Sequence, residues 1–162
     1  MAKRVVADAG PLIAFGRIGK LDLLPQVLGE ILVPNAVAGE CLADPEKPGA
    51  QAIQKALRAG LLMKIAEPAP LLPQFPTLDA GESAAIRLAL KLSSSILIDD
   101  KAGRSMAAKL GLNVIGSAGV LLAAKKRGLI EGVRPILDAL ACNGYHLSDA
   151  LIRAILLRAG EQ

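Results

Sequence analysis

Short apolar runs rich in β-branched residues alternate along this chain with longer stretches whose apolar positions recur at helical spacing. That alternation predicts an α/β layer structure around a largely parallel sheet, because parallel strands need long crossovers and helices supply them. RVVAD, ending at Asp8, reads as a first strand, and Pro11 suits the first turn of a helix that runs to Gly16. LDLLPQVLG reads as a short helix broken by Pro25, EILVP as a second strand, and NAVAGECLAD as the helix after it. A helix from Pro48 to Ala59, with Gly60 as its cap, leads into LLMKIA, a third strand.

EPAPLLPQFPT carries four prolines and reads as an extended surface loop. Thr77 or Asp79 then opens the most strongly patterned helix of the chain, Asp79 to Leu92. SILID is a fourth strand, Gly103 to Leu110 a helix, and NVIG a fifth strand. Ser117 is expected to cap a helix that ends at Gly128, and two more helices follow around Pro135 to Ala141 and Ser148 to Ala159. The pattern reads as one domain over residues 1–162, with 129–162 as a C-terminal helical extension.

Composition narrows the function classes. Hydrophobic residues make up 52% of the chain and mean hydropathy is +0.44, so a membrane span has to be considered. The longest uncharged run, Leu110 to Ala124, holds 15 residues and is interrupted by three glycines, whereas a span needs roughly 20 apolar residues. Asp8 cuts the apolar run after the basic start too early for a signal peptide, which leaves a cytoplasmic protein with no membrane partner as the expectation. Cys41 and Cys142 lie far apart in apolar segments, and His146 is the one histidine. A disulfide framework and a zinc site are both unsupported, so the cysteines read as buried free thiols. The net charge of +4 suits a nucleic-acid partner without establishing one. Only Phe15, Phe75 and Tyr145 are aromatic, which argues against a module that stacks bases.

The candidate chemistry is carboxylate chemistry. Asp8 ends the first strand and Asp99 and Asp100 end the fourth, at the edge of a parallel sheet where ligands bind. Glu40 falls on the helix after the second strand, and Glu82 in the first turn of the helix before the fourth. Carboxylates converging from these elements would repel one another without a hard divalent cation, and oxygen-only ligands suit Mg²⁺ or Mn²⁺. Ordinary roles compete. Asp79-Ala80-Gly81-Glu82 fits a capping box, and Glu40 suits a solvated helix face. Asp99 or Asp100 suits a helix cap, although one cap uses one aspartate and here there are two. His146 reads as a structural or surface histidine.

VVADAGPLIAFGRIGKLDLL, ILVPNAVAGE, LDAGESAAIRLALKL, ILIDDKAGRSMAAKLGLNVIGSAGVLLAAKKRGLI and GYHLSDALIRAILLRAGE together resemble the PIN-domain superfamily. The likeness is to its bacterial and archaeal branch related to toxins of type II toxin–antitoxin pairs. The resemblance implies a three-layer α/β/α fold with a five-stranded parallel sheet in order 3-2-1-4-5. It also implies a divalent-metal-dependent ribonuclease using Mg²⁺ or Mn²⁺, with Asp8, Glu40, Glu82 and Asp100 as the acidic quartet. Asp8, Asp100 and Glu82 would be metal ligands, with Asp99 either a further ligand or an outer group. Lys101 and Arg104 would hold flanking phosphates, and Lys125, Lys126 and Arg127 form a second basic patch whose competing reading is the usual cationic end of a helix. An RNA substrate, a cognate antitoxin and a homodimer are the implied partners.

Two departures matter. Gly10 stands where many relatives carry Ser or Asn, and Ile98 where many carry Thr. They leave open a non-catalytic protein of the same fold that binds nucleic acid or a partner. A phosphorelay receiver fits less well, because the acidic pair follows the fourth strand and not the first; a phosphohydrolase with an Asp nucleophile lacks its Asp-x-Asp.

Overall fold

The computed structural model describes residues 3–69 and 78–162. The expected proline-rich loop lies outside the described residues from Pro70 onward, as does Thr77. Five strands alternate with helices: β1 (Arg4–Ala7), α1 (Ala9–Arg17), α2 (Leu23–Leu28), β2 (Glu30–Pro34), α3 (Asn35–Cys41), α4 (Pro48–Arg58), β3 (Leu62–Ile65) and α5 (Ala80–Leu92). Then come β4 (Ser95–Leu97), α6 (Lys101–Lys109), β5 (Val114–Ile115), α7 (Ser117–Lys126), α8 (Arg134–Cys142) and α9 (Asp149–Ala159). The strands form one parallel sheet in order β3-β2-β1-β4-β5, as the resemblance implies.

Successive residues of a strand point to opposite faces, so a strand buried at every position must be covered on both. Val5, Val6 and Ala7 are all buried, and so are Ile31, Leu32 and Val33 of β2 and Ile96, Leu97 and Ile98 at β4. Helices therefore cover both faces of the three central strands. The edges differ: Met63 of β3 is exposed and both residues of β5 are half-buried. Around the sheet, α1 packs on α3 and α4, α3 on α5, and α7 on α2 and α9.

Glutamates from distant segments cap helix starts. Proline at the N-cap of α3 offers no side-chain acceptor, and Glu67, beyond β3, accepts from the N–H groups of Asn35 (2.8 Å) and Ala36 (3.2 Å). This fixes the helix that carries Glu40. Glu161 does the same for α8, accepting from the Val133 N–H at 2.7 Å while also taking the Lys125 ammonium at 2.8 Å.

Several local expectations need correction. Pro25 does not break α2 but sits in its first turn, where its missing N–H costs nothing. The N-cap of α7 is Gly116, and Ser117 is its first helical residue. Cys41 is buried, and burial first, then the charges of Glu40 and Asp8, pushes its thiol up to about 12. Cys142, by contrast, is exposed. Among the described residues no helix is long and apolar enough to cross a membrane.

The turn into β2 depends on Gly29, whose φ is +92° and where a methyl group would stand 2.7 Å from the carbonyl oxygen of Lys3. That carbonyl accepts from the Glu30 N–H at 2.8 Å as β1 and β2 begin to pair. Gly60, at φ +79°, faces open space. Urea denaturation is expected to show Gly60→Ala losing about 1 kcal/mol from φ alone, and Gly29→Ala about 2 kcal/mol or more. Equal losses would show that the close approach at Gly29 carries no weight.

Candidate functional site

The sheet has one topological divide, between β1 and β4, because the chain leaves β1 toward β2 on one side and returns through β4 on the other. The Asp8 N–H donates to the Leu97 carbonyl at 2.9 Å across that divide. The Asp8 side chain is only 6% exposed, yet it makes no capping bond to α1, which it precedes. A carboxylate so placed loses hydration without gaining strong donors. Burial accordingly raises its pKa to about 7; the Ala9 N–H opposes this, and the charges of Asp79, Glu40 and Asp100 reinforce it.

Asp8 lines a cleft of about 360 Å³ together with Glu40, Asp79, Glu82, Asp99 and Asp100. The sequence-derived quartet thus shares one cleft. Glycines allow the close approach: a methyl group at Gly81 would stand 3.1 Å from Glu40 Oε1 and 3.5 Å from Asp79 Oδ1, and one at Gly103 would stand 3.3 Å from Glu82 Oε2. Asp79, whose sequence position marks it as a helix opener and capping-box residue, also lines the cleft. It does cap α5, accepting from the Glu82 N–H at 2.7 Å. Glu82 does not complete the capping box by reaching back to the Asp79 N–H; its carboxyl group is hydrogen-bonded to the Asp79 side chain instead. Burial first, then that bond, then the charges of Asp79, Asp100 and Asp8 raise Glu82 to about 8. Burial and Asp79 also raise Glu40.

The adjacent aspartates divide their work. Asp100 caps α6, with Oδ2 accepting from the Gly103 N–H at 2.9 Å. Asp99 turns to the start of α7: Oδ1 accepts from the Ser117 N–H at 2.8 Å and Oδ2 from the Ser117 hydroxyl at 2.5 Å. The Tyr145 hydroxyl donates to the same Oδ2. Three donors thus hold Asp99 at the cleft wall. Tyr145 and His146, on the loop between α8 and α9, complete the cleft with Gly10, Pro11 and Leu147. Sequence pattern could not place that loop at the carboxyl edge of the sheet.

The basic residues are less concentrated here than expected. Lys101 is exposed beside Asp100 at the start of α6. Arg104 is half-buried and donates to the Ile98 carbonyl at 2.8 Å, a bond that ties α6 to the end of β4. Lys125 donates to the Ala159 carbonyl at 2.5 Å and to Glu161, and neither it nor the exposed Lys126 lines the cleft. Both lie at the far end of α7 from Ser117. Next to them, Arg127 bonds to the Gln26 carbonyl in the segment leading into β2, at the amino edge of the sheet.

A hard divalent cation suits this donor set in kind: the donors are carboxylate oxygens, crowded and partly desolvated, and no Lys or Arg is among the described residues lining the cleft. Among the described residues, however, no three Asp, Glu, His or Cys side chains are grouped as ready ligands for one ion.

Asp8 makes stability depend on pH in a defined sense. Its folded pKa of about 7 lies above the ordinary 3.8, so its contribution is fully present below pH 3.8 and is lost as pH rises through about 7. In EDTA at pH 8, Asp8→Asn is expected to stabilise the protein by roughly 1–3 kcal/mol, with a smaller effect near pH 4. A loss of stability at pH 8 in chemical denaturation would contradict the burial of a poorly compensated charge.

Two solved structures are similar in outline. One is a domain of a functionally unknown protein from Methanocaldococcus jannaschii DSM 2661, 19% identical, with a TM-score of 0.49 over 71% of this chain and 91% of that one. The other is a PilT N-terminus domain protein from the archaeon Sulfolobus solfataricus P2, 17% identical, with a TM-score of 0.42 over 90% of this chain and 97% of that one. No curated protein matches the chain. A family model described as a PIN domain matches residues 4–161, nearly the whole length, and the chain therefore belongs to the PIN-domain family.

Proposed function

We propose that this protein is a divalent-metal-dependent ribonuclease that hydrolyses phosphodiester bonds of RNA at the acidic cleft. The observation that carries this reading is the buried Asp8 carboxylate at the β1–β4 divide, faced by Asp79, Glu40 and Asp100. Membership of a generally nuclease-like family supports it. So few donors reach Asp8 that the arrangement makes sense as a ligand set awaiting positive charge.

Asp8, Asp100 and Glu82 would hold the cation, with Glu40 and Asp79 completing the acidic wall. When bound, Mg²⁺ or Mn²⁺ supplies Lewis acidity and lowers the pKa of water. The chain's own groups do the rest. Glu40, beside these ligands and not among them, would accept a proton from the nucleophile. Asp100 is held by its bond to Gly103, and Asp99 anchors the neighbouring turn. Lys101, exposed beside Asp100 and outside the cleft, would meet a phosphate further along the strand. The choice of RNA, and a role as the toxin of a type II toxin–antitoxin pair with a cognate antitoxin and a homodimer, rest on the family resemblance.

Two observations favour a second reading, a non-catalytic protein that binds nucleic acid or a partner. No three potential ligands among the described residues are preassembled, and Gly10 and Ile98 bring no polar side chain to the cleft.

Labelled RNAs and single-stranded DNAs incubated with the protein in Mg²⁺, Mn²⁺ or EDTA separate the two. The nuclease reading expects metal-dependent RNA cleavage that falls at least about 100-fold in Asp8→Asn and in Asp100→Asn. Binding without cleavage, or variants that cut as well as the native protein, would leave the second reading standing.

A further inference from the structure

We propose that His146 is the side chain that holds the substrate phosphate at this cleft, and that Tyr145 is the positioning residue that keeps it there. The inference rests on the ribonuclease reading and assigns the substrate contact within it. Six carboxylates line the cleft, and a phosphodiester carries another negative charge. A cation held by the carboxylates would offset their charge, and phosphate oxygens turned toward the rest of the lining would still need hydrogen-bond donors. Among the described residues lining the cleft, Tyr145 and His146 are the only ones other than the carboxyl groups whose side chains carry a hydrogen-bond donor. The Tyr145 hydroxyl is used on Asp99. The exposed imidazole of His146 remains, free to turn toward a ligand.

The nearest alternatives are committed elsewhere or stand outside the cleft. Arg104 is bonded to the Ile98 carbonyl, Lys125 is paired with Glu161 at the far end of α7, and Lys101 does not line the cleft.

The loop that carries His146 is built to hold a fixed position. Gly144, at φ +84°, makes the turn out of α8. The Tyr145 N–H returns to the Leu140 carbonyl at 2.9 Å, and Arg17 reaches from α1 to the Asn143 carbonyl at 3.1 Å. The Tyr145 side chain then crosses the top of α1 to Asp99, which Ser117 holds through both oxygens. Gly10 leaves room for that crossing: a methyl group there would stand 3.6 Å from the tyrosine oxygen. A hydroxyl from the C-terminal segment thus lies over Gly10. One contact ties α8 and α9 to the acidic edge of the sheet and sets His146 beside it.

Single-stranded RNA carrying a fluorescent label tests this in two ways: cleavage in Mg²⁺ for KM and kcat, and binding by anisotropy in Ca²⁺. His146→Ala is expected to raise KM and weaken binding about 10-fold while kcat changes less than about 3-fold, the loss of one phosphate hydrogen bond. His146→Lys is expected to restore affinity. Tyr145→Phe keeps the ring but frees the loop, and should raise KM about 3-fold with an unchanged folded-state circular dichroism spectrum. Native KM and affinity in His146→Ala would overturn the proposal while leaving the ribonuclease reading intact. A native protein that binds RNA without cutting it, and binds less tightly without His146, would remove that reading and leave the phosphate contact. A native protein that neither binds nor cuts RNA would overturn both.

Discussion

Keeping the Asp8 carboxylate at the buried end of β1 is the constraint on which the arrangement of the site depends. The strand before it is buried on both faces, so its last residue cannot swing into solvent without disturbing the sheet. Its neighbours make the position costlier, because Asp79, Glu40 and Asp100 all add negative charge. A protein optimised for stability alone would not collect carboxylates at a poorly solvated divide. A function that brings positive charge to the place accounts for the cost.

The pair Asp99 and Asp100 shows how the fold separates structure from chemistry over two adjacent residues. Asp100 keeps one oxygen on the helix it caps and stays on the cleft. Asp99 gives both oxygens to Ser117 and one of them also to Tyr145, binding β4, α7 and the α8–α9 loop at one point. The doublet therefore needs no single cation to explain both members. One aspartate organises the turn, and the other lines the cleft from the helix it caps.

Much of this was legible in the sequence because the relevant signals are local. Apolar runs marked the strands, and their terminal aspartates marked the ligand edge once a parallel sheet was assumed. The order 3-2-1-4-5 came from the family resemblance, since periodicity says nothing about which strands adjoin. What stayed hidden depends on long-range contacts. Asp79 looked like a cap and is one, but its second role needs Glu40 brought from another helix to Gly81. Lys125 looked available until the chain end returned with Glu161. His146, an unremarkable residue in the sequence, gains its setting only through a tyrosine that bonds across 46 positions.

If the carboxylates around Asp8 form a divalent-cation site, thermal unfolding of the native protein and of Asp8→Asn across a Mn²⁺ and Mg²⁺ titration at pH 8 will show it. Ligand binding to the folded state raises Tm with concentration. The account predicts a rising Tm for the native protein that saturates with metal, and little or no rise for Asp8→Asn. A native Tm indifferent to both ions, or an equal rise in the variant, would contradict it.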